Sequence, residues 1–479
     1  MSFEVEFRDL IDVGGLIAQR ALTSAEVTKG LLARIQRIDG GLKAYARLLG
    51  DSAIRQAETA DREIAAGIRR GPLHGVPIAV KDLCWVEGAP TAAGTAIHKD
   101  FVPTRDATVV RKLKEAGAVL IGKTQLTEGA YSDYHPSIPP VRNPWNDDYW
   151  AGISSSGSAV AAAAGLCFGA IASDTGGSIR WPSAANGVSG LKPTWGRVSR
   201  YGTFDLAPSL DHIGPIARSV ADVAAILSAI AGDDLDDPTA TRRPVGDYIA
   251  DTVVDVCGRR IGIDRRWNSE DVDPEVQAAL TEARAVFSDL GVEIVDVSFP
   301  DVRQIVADWT PNCAVEAAVA HQSTYPRHKE QYGSILSSVI ENGMVVSGME
   351  YQRILLRRAI FRGQVEALFS SVDAILTPIH PFAPLALSTI ATLGEQPELI
   401  AKLQRYTCPF DMSGHPALAF PGGFSTEGVP IGLQLIAASF DEASLFSLGS
   451  AFQRVTNWHR RHPDLDGRRI GSQIPGVAG

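Results

Sequence analysis

Cysteine is scarce in this chain and widely scattered. Cys84, Cys167, Cys257, Cys313 and Cys408 are the five among 479 residues, and no two form a C-x-x-C pair, so the spacing of a zinc ribbon or a dithiol redox motif is absent. An odd, dispersed set of thiols fits a reducing compartment and predicts a cytoplasmic protein. Long apolar runs are missing too. The longest, Ala159 to Ala172, has 14 residues including two glycines, short of the roughly 20 needed to cross a bilayer. It reads as a buried helix followed by a strand, and no membrane partner is expected. The opening "MSFEVEFRDLIDVGGLIAQR" lacks the basic start and apolar block of an export signal. Positive charge is in deficit, with a formal net charge of −10, which repels polyanions and argues against a nucleic-acid partner.

What is present in quantity is apolar. Hydrophobic residues make up 45% and charged ones 21%, the proportions of a soluble globular protein. "LTSAEVTKGLLARIQRIDG" offers Thr23 or Ser24 as an N-cap, followed by Val27, Leu31, Leu32 and Ile35 at helical spacing. A second helix is predicted over about 49–67. "HGVPIAVKD" reads as a strand ending at Lys81, and "TVVRKLKEAGAVLIGKT" as helix, glycine stop and strand. This alternation predicts an α/β fold, a single large domain with a central mixed β-sheet covered by helices. No linker or internal repeat divides it, and four stretches differ in texture. Residues 1–70 form an N-terminal helical region and 71–232 a core, its latter half rich in glycine, serine and alanine. Residues 233–370 carry longer helices separated by strands such as "RRIGID" and "VEIVDVSF", and 371–479 supply closing strands and a helix.

Two segments carry unusual serines. "GISSSGS", from Gly152, sets four hydroxyls among glycines, and "SDTGGSIRWPS" brings Ser178 into another glycine setting 24 residues after Ser154. Ser154, Ser155 and Ser156 precede a helix, so some of them can cap its amides, which accounts for one or two hydroxyls but not for the cluster. In the second segment a buried strand leads through Gly176 and Gly177 to a helix expected to begin near Pro182. Such a turn exposes consecutive N–H groups that could bind an oxyanion, although an ordinary strand-to-helix turn has the same composition. The helix and returning strand between the segments would bring Ser154 and Ser178 to one end of the sheet. Lys81 ends the apolar run Val76-Pro77-Ile78-Ala79-Val80; it either reaches from the strand end to solvent or is held inside.

"GVPIAVKD", "GISSSGSAVAAAAG", "SDTGGSIRWPSAANGVSGLKPTWGRVS", "SLDHIGPIARSVAD" and "GLQLIAASFDEASL" follow one another over nearly the whole chain. In that order they resemble the successive motifs of the amidase signature family. The resemblance implies an amidase working through an acyl-enzyme without cofactor or metal, with 71–232 as its catalytic core and 233–370 as its substrate-pocket region. It implies a Ser-Ser-Lys triad, with Ser178 as nucleophile, Ser154 as bridge and Lys81 as base. It also implies an oxyanion hole from the N–H groups of Thr175, Gly176, Gly177 and Ser178, and a role for Asp174 and Arg180 in holding the serine-rich loop, with Ser155 as their partner. The chemistry is consistent: a serine needs an adjacent base, and lysine serves only when neutral. From a free pKa near 10.4, neutrality at pH 7 requires more than about 4.6 kcal/mol of destabilisation of the cation, which burial can supply. A hydroxyl both donates and accepts, so Ser154 can relay a proton. One departure is Ile153, where the family usually has glycine, joined to the bridging serine by a cis peptide.

The mechanism so implied uses no histidine. None of the ten forms H-E-x-x-H, and His74, His212 and His380 are expected to make structural hydrogen bonds. "GGLKAYARLLG" and "GGSIRWPSAANG" are neither dinucleotide nor phosphate-loop patterns. The glutaminase component of the aminoacyl-tRNA amidotransferase shares the triad but generally has glutamine after "GGSIR" and Phe-Cys before the next glycine, where this chain has Trp181 and Ala185-Asn186. A non-catalytic binding protein on the same fold is a third class. By the same resemblance Tyr131, Tyr134, Trp309 and Cys313 fall in pocket regions, where the aromatics would suit an aryl or otherwise apolar acyl amide; core packing would use them equally well. The expected partners are a small-molecule amide and, in a homodimer, a second copy of the chain.

Overall fold

The computed structural model describes residues 5–465 apart from Pro384. The first predicted helix, Ser24–Leu42, opens on a capping box: Thr23 accepts from the Glu26 N–H while the Glu26 carboxylate accepts from that of Thr23. The second is Gly50–Ala65. The strands are β1 (Tyr45–Leu48), β2 (Pro77–Lys81), β3 (Val119–Thr124), β4 (Gly169–Asp174), β5 (Ser189–Lys192), β6 (His212–Ala217), β7 (Arg260–Ile263), β8 (Glu293–Asp296), β9 (Ala374–Pro378), β10 (Ala417–Phe424) and β11 (Pro430–Ile436). Among the described residues they form one sheet in the order β1-β3-β2-β4-β6-β5-β10-β11-β9-β7-β8. The sheet is mixed: β3, β2 and β4 run parallel, as do β8, β7 and β9, while β4–β6, β6–β5, β5–β10, β10–β11 and β11–β9 are antiparallel. Every residue of β2 to β6, β9 and β11 is buried, as expected where helices cover both faces.

This topology sets the position of the serine segments. β2 and β4 are adjacent and parallel, so their last residues, Lys81 and Asp174, emerge at the same edge, the carboxyl-end edge where ligands bind in α/β sheets. The helix Ser156–Ala163 precedes β4 and returns its N-terminus to that edge. The next helix begins at Arg180 rather than near Pro182. The Asp174 carboxylate accepts from the N–H groups of Ile179 and Arg180, satisfying the first amides upstream of the proline.

Gly117–Thr124, "GAVLIGKT", fits the phosphate-loop pattern G-x-x-x-x-G-K-T, yet the structure makes its last six residues β3. Lys123 is fully buried, its Nζ 2.8 Å from Asp82 Oδ1 and 2.8 Å from Thr91 Oγ1, so both the backbone and the amine are already partnered. No helix among the described residues is long and apolar enough to cross a membrane.

The three histidines divide. His74 Nε2 meets Glu63 at 3.0 Å, and His212 Nδ1 meets the Leu210 carbonyl at 2.6 Å. His380 departs from expectation: it is buried, near Phe382, with no well-formed hydrogen bond at either ring nitrogen. Burial pushes its pKa down to about 4, against the opposing Phe382 backbone. An unfolded histidine takes up its proton near pH 6.5 while the folded one stays neutral to about pH 4, so His380 costs stability as pH falls through that window. His380→Phe should recover up to about 3 kcal/mol at the acid end. Thermal melts should show a gain over wild type that grows from pH about 7 to about 4.5; a pH-independent difference would contradict it.

Candidate active site

Lys81 is held inside. Its side chain is fully buried, with Nζ 2.7 Å from Ser154 Oγ, 2.8 Å from Ser155 Oγ and 2.8 Å from Ser173 Oγ. Burial pushes its pKa down to about 7, against the opposing charges of Cys84, Asp174 and Asp211, so the neutral amine is well populated at neutral pH. A neutral amine donates two hydrogens and accepts one, so one of the three hydroxyls must donate to it. Ser155 cannot, because its proton goes to the Ser173 carbonyl at 3.0 Å. The donor is therefore Ser154 or Ser173. The Ile153-Ser154 peptide is cis.

The capping expectation fails. Ser155 is the N-cap of the helix Ser156–Ala163, but its side chain makes no capping bond, being directed to Lys81 and Ser173. The Ser156 hydroxyl meets Tyr134 Oη at 2.5 Å, and that of Ser158 meets Thr124 Oγ1 and the Ile171 carbonyl. The cluster thus binds sideways across strands.

Ser178 sits in the turn after β4, where Gly177 has φ +137° and a Cβ would lie 2.6 Å from the Trp181 ring. The Ser178 carbonyl accepts from the Ser155 N–H at 3.3 Å, which is where the two serine segments meet. Ser178 is 7% exposed against 0% for Ser154 and Lys81, so it is the member that a ligand could reach. Asp174 accepts from the Gly177 N–H at 2.6 Å and from Arg180 Nε and Nη2 at 3.0 Å each; Arg180 Nη2 also reaches Asp411 at 2.7 Å. Burial would raise the Asp174 carboxyl, but the Arg180 guanidinium holds it well below the usual range. Asp411 moves the other way, raised by burial and by Asp174. Asp174 and Arg180 therefore fasten the 174–180 turn rather than the serine-rich loop, and Ser155 bonds to neither. Of the four expected oxyanion donors, Gly177 is already bonded to Asp174, leaving the N–H groups of Thr175, Gly176 and Ser178 without a partner among the described residues.

The remaining expected residues separate. Trp309 Nε1 donates to the Thr175 carbonyl at 2.8 Å, and a Cβ on Gly176 would lie 2.5 Å from its ring and 3.3 Å from Cys408 Sγ. Tyr131 belongs to the same side: burial raises its hydroxyl, with Cys313 and Cys408 adding. Trp181 packs in a separate cluster with Ile153, Trp150 and Ile379. Tyr134 lies apart, on Ser156. Sequence reasoning missed Ser173, whose signal was a hydroxyl inside a fully buried strand, and Thr407, Cys408 and Asp411, which reach the turn from more than 220 residues away. Among the described residues no group of three or more His, Cys, Asp or Glu side chains is placed to hold a metal ion.

A family model described as Amidase matches residues 26–446. The chain belongs to the amidase signature family. This amidase is 48% identical over 458 residues to AmiD of Mycobacterium tuberculosis, a protein assigned by name to the amidases, with 95% of this chain and 96% of that one covered. It is 37% identical over 482 residues to a component of the glutamyl-tRNA(Gln) amidotransferase of Myxococcus xanthus, covering 95% and 99%. Among solved structures it resembles a bacterial aryl acylamidase of the same family, with TM-score 0.84, 26% identity, and coverage of 95% and 98%. The family places the chain among hydrolases of carbon–nitrogen bonds.

Proposed function

We propose that this amidase hydrolyses an aryl or otherwise apolar carboxamide to a carboxylate and ammonia or an amine through an acyl-enzyme on Ser178. The observation that carries the reading is the buried contact of 2.7 Å between Lys81 Nζ and Ser154 Oγ. Ser178 Oγ attacks the carbonyl carbon as its proton passes to Ser154 Oγ and the Ser154 proton passes to the Lys81 lone pair, so Ser154 ends each transfer neutral. The carbonyl oxygen becomes an oxyanion facing the N–H groups of Thr175, Gly176 and Ser178. Collapse breaks the C–N bond, and the Lys81 proton returns through Ser154 to the leaving nitrogen. Water then attacks the acyl-enzyme by the same relay, releasing the acid and restoring Ser178.

The apolar acyl group is supported by the side chains around the turn: Trp309 and Trp181 against Gly176 and Gly177, Ile153 packed with Trp181, and Tyr131 near Cys313 and Cys408. A glutaminase component of an amidotransferase is the second reading, favoured by the Myxococcus xanthus relative, but Trp181 and Ala185-Asn186 depart from that component's pattern. A fluorophosphonate probe should label Ser178, located by peptide mass mapping. In a panel of aryl, alkyl and amino-acid amides with glutamine included, the aryl amides should turn over fastest. Labelling elsewhere would remove the nucleophile assignment, and preference for glutamine would favour the amidotransferase reading.

A further inference from the structure

We infer that Trp309 and Thr407 are positioning residues of the 175–178 turn, Trp309 aiming the Gly176 oxyanion donor and Thr407 anchoring the peptide that links it to the Ser178 donor. The inference rests on reading that turn as the oxyanion site. A peptide unit is planar, so fixing the carbonyl of one residue fixes the N–H of the next. The Thr175 carbonyl is held by Trp309 Nε1 at 2.8 Å, which sets the direction of the unpartnered Gly176 N–H. The Gly176 carbonyl is held by Thr407 Oγ1 at 2.7 Å and Cys408 Sγ at 3.4 Å, while the far end of that peptide, the Gly177 N–H, is bound to Asp174. The Gly177 carbonyl accepts from the Trp181 N–H at 2.7 Å, which sets the Ser178 N–H.

Two adjacent glycines would otherwise leave this turn free to rotate its peptides. The packing withdraws that freedom, since the Trp309 ring occupies the place of a Gly176 Cβ and the Trp181 ring that of a Gly177 Cβ. Both positioning residues are buried and come from distant segments, Trp309 from the helix Arg303–Ala320 and Thr407 from just before the helix Cys408–Ser413. Trp309 is then more than a wall of the acyl pocket. Its N–H acts through the backbone on the reacting oxygen, whose negative charge exists only in the transition state, so removing the N–H should lower kcat and spare KM.

Trp309→Phe keeps a ring and removes the N–H; Thr407→Val keeps the shape and removes the hydroxyl, and Thr407→Ser restores it. The variants are assayed with the best amide of the panel and with the corresponding aldehyde, which forms a tetrahedral adduct on the nucleophile. Expected are losses of about 10- to 100-fold in kcat for Trp309→Phe and Thr407→Val, KM within about 2-fold, weakening of the aldehyde in proportion to the fall in kcat/KM, and near-native rates for Thr407→Ser. Unchanged kcat, a rise confined to KM, or failure of Thr407→Ser to restore the rate would overturn the inference while leaving Ser178 labelling intact. Absence of that labelling in the wild type would instead overturn the acyl-enzyme reading and this inference with it.

Discussion

Ser178→Ala should abolish amide turnover, with a loss on the order of 10⁵-fold or more, and leave the fold as it is. Among the described residues the hydroxyl has no hydrogen-bond partner, and it lies at the one slightly exposed point of the triad, so removing it orphans none of their buried groups. The melting temperature should stay within about 2 °C of wild type, and fluorophosphonate labelling should vanish. Residues that act as one unit do not lose activity additively. A Ser178→Ala, Lys81→Met double variant should therefore be about as inactive as the worse single variant. Multiplying losses would mean that the two groups serve separate steps.

Replacement of Lys81 should be nearly as severe. Lys81→Met preserves the length and apolar stem but offers no lone pair, and it should lose about 10⁴-fold in kcat/KM, the upper range for a general base. Stability should hold or improve, because methionine removes an amine whose protonated form burial disfavours. The sign is fixed by the lowered pKa: above about pH 7 the folded amine has released a proton that the unfolded lysine keeps to about pH 10.4. The stability cost of the wild-type lysine is thus largest below pH 7 and recovers above it, and the advantage of Lys81→Met should shrink with rising pH. Lys81→Arg should be inactive, since a guanidinium stays charged and accepts no proton. Ser154→Ala should also lower the rate severely while leaving Lys81 its contacts with Ser155 and Ser173. Near-native turnover in Lys81→Arg would refute the base assignment.

The fold was largely legible because its signals are local. Thr23 and Glu26 stand three apart and form the capping box, and the apolar run before Lys81 is β2. The meeting of the serine segments could be foreseen from the helix and strand lengths between them. What each hydroxyl bonds to could not. A serine before a helix ordinarily caps it, but Ser155 faces a buried amine and a strand carbonyl, and those partners prevail over the helix amides. Asp174 was assigned to the wrong loop because its carboxylate has closer partners in its own turn, in the Gly177 and Ile179 amides. Thr407 and Asp411 carry no local signal, since their roles depend on the sheet bringing distant segments together. The phosphate-loop match at Gly117–Thr124 shows the converse, a pattern without its chemistry, because Lys123 is paired with Asp82.

The pH dependence of kcat/KM tests the central assignment most directly, provided two lysines are told apart. Burial also pushes Lys192 down to about 7, but its Nζ donates to the Pro193 carbonyl and reaches none of the serines. The free enzyme should gain activity on a limb rising through about pH 7, as Lys81 loses its proton, and reach a plateau above it. That limb should persist in Lys192→Met, while the residual activity of Lys81→Met should show no such rise. A wild-type profile flat between about pH 5.5 and 9, or a limb near pH 7 that survives in Lys81→Met, would contradict a neutral Lys81 as the base.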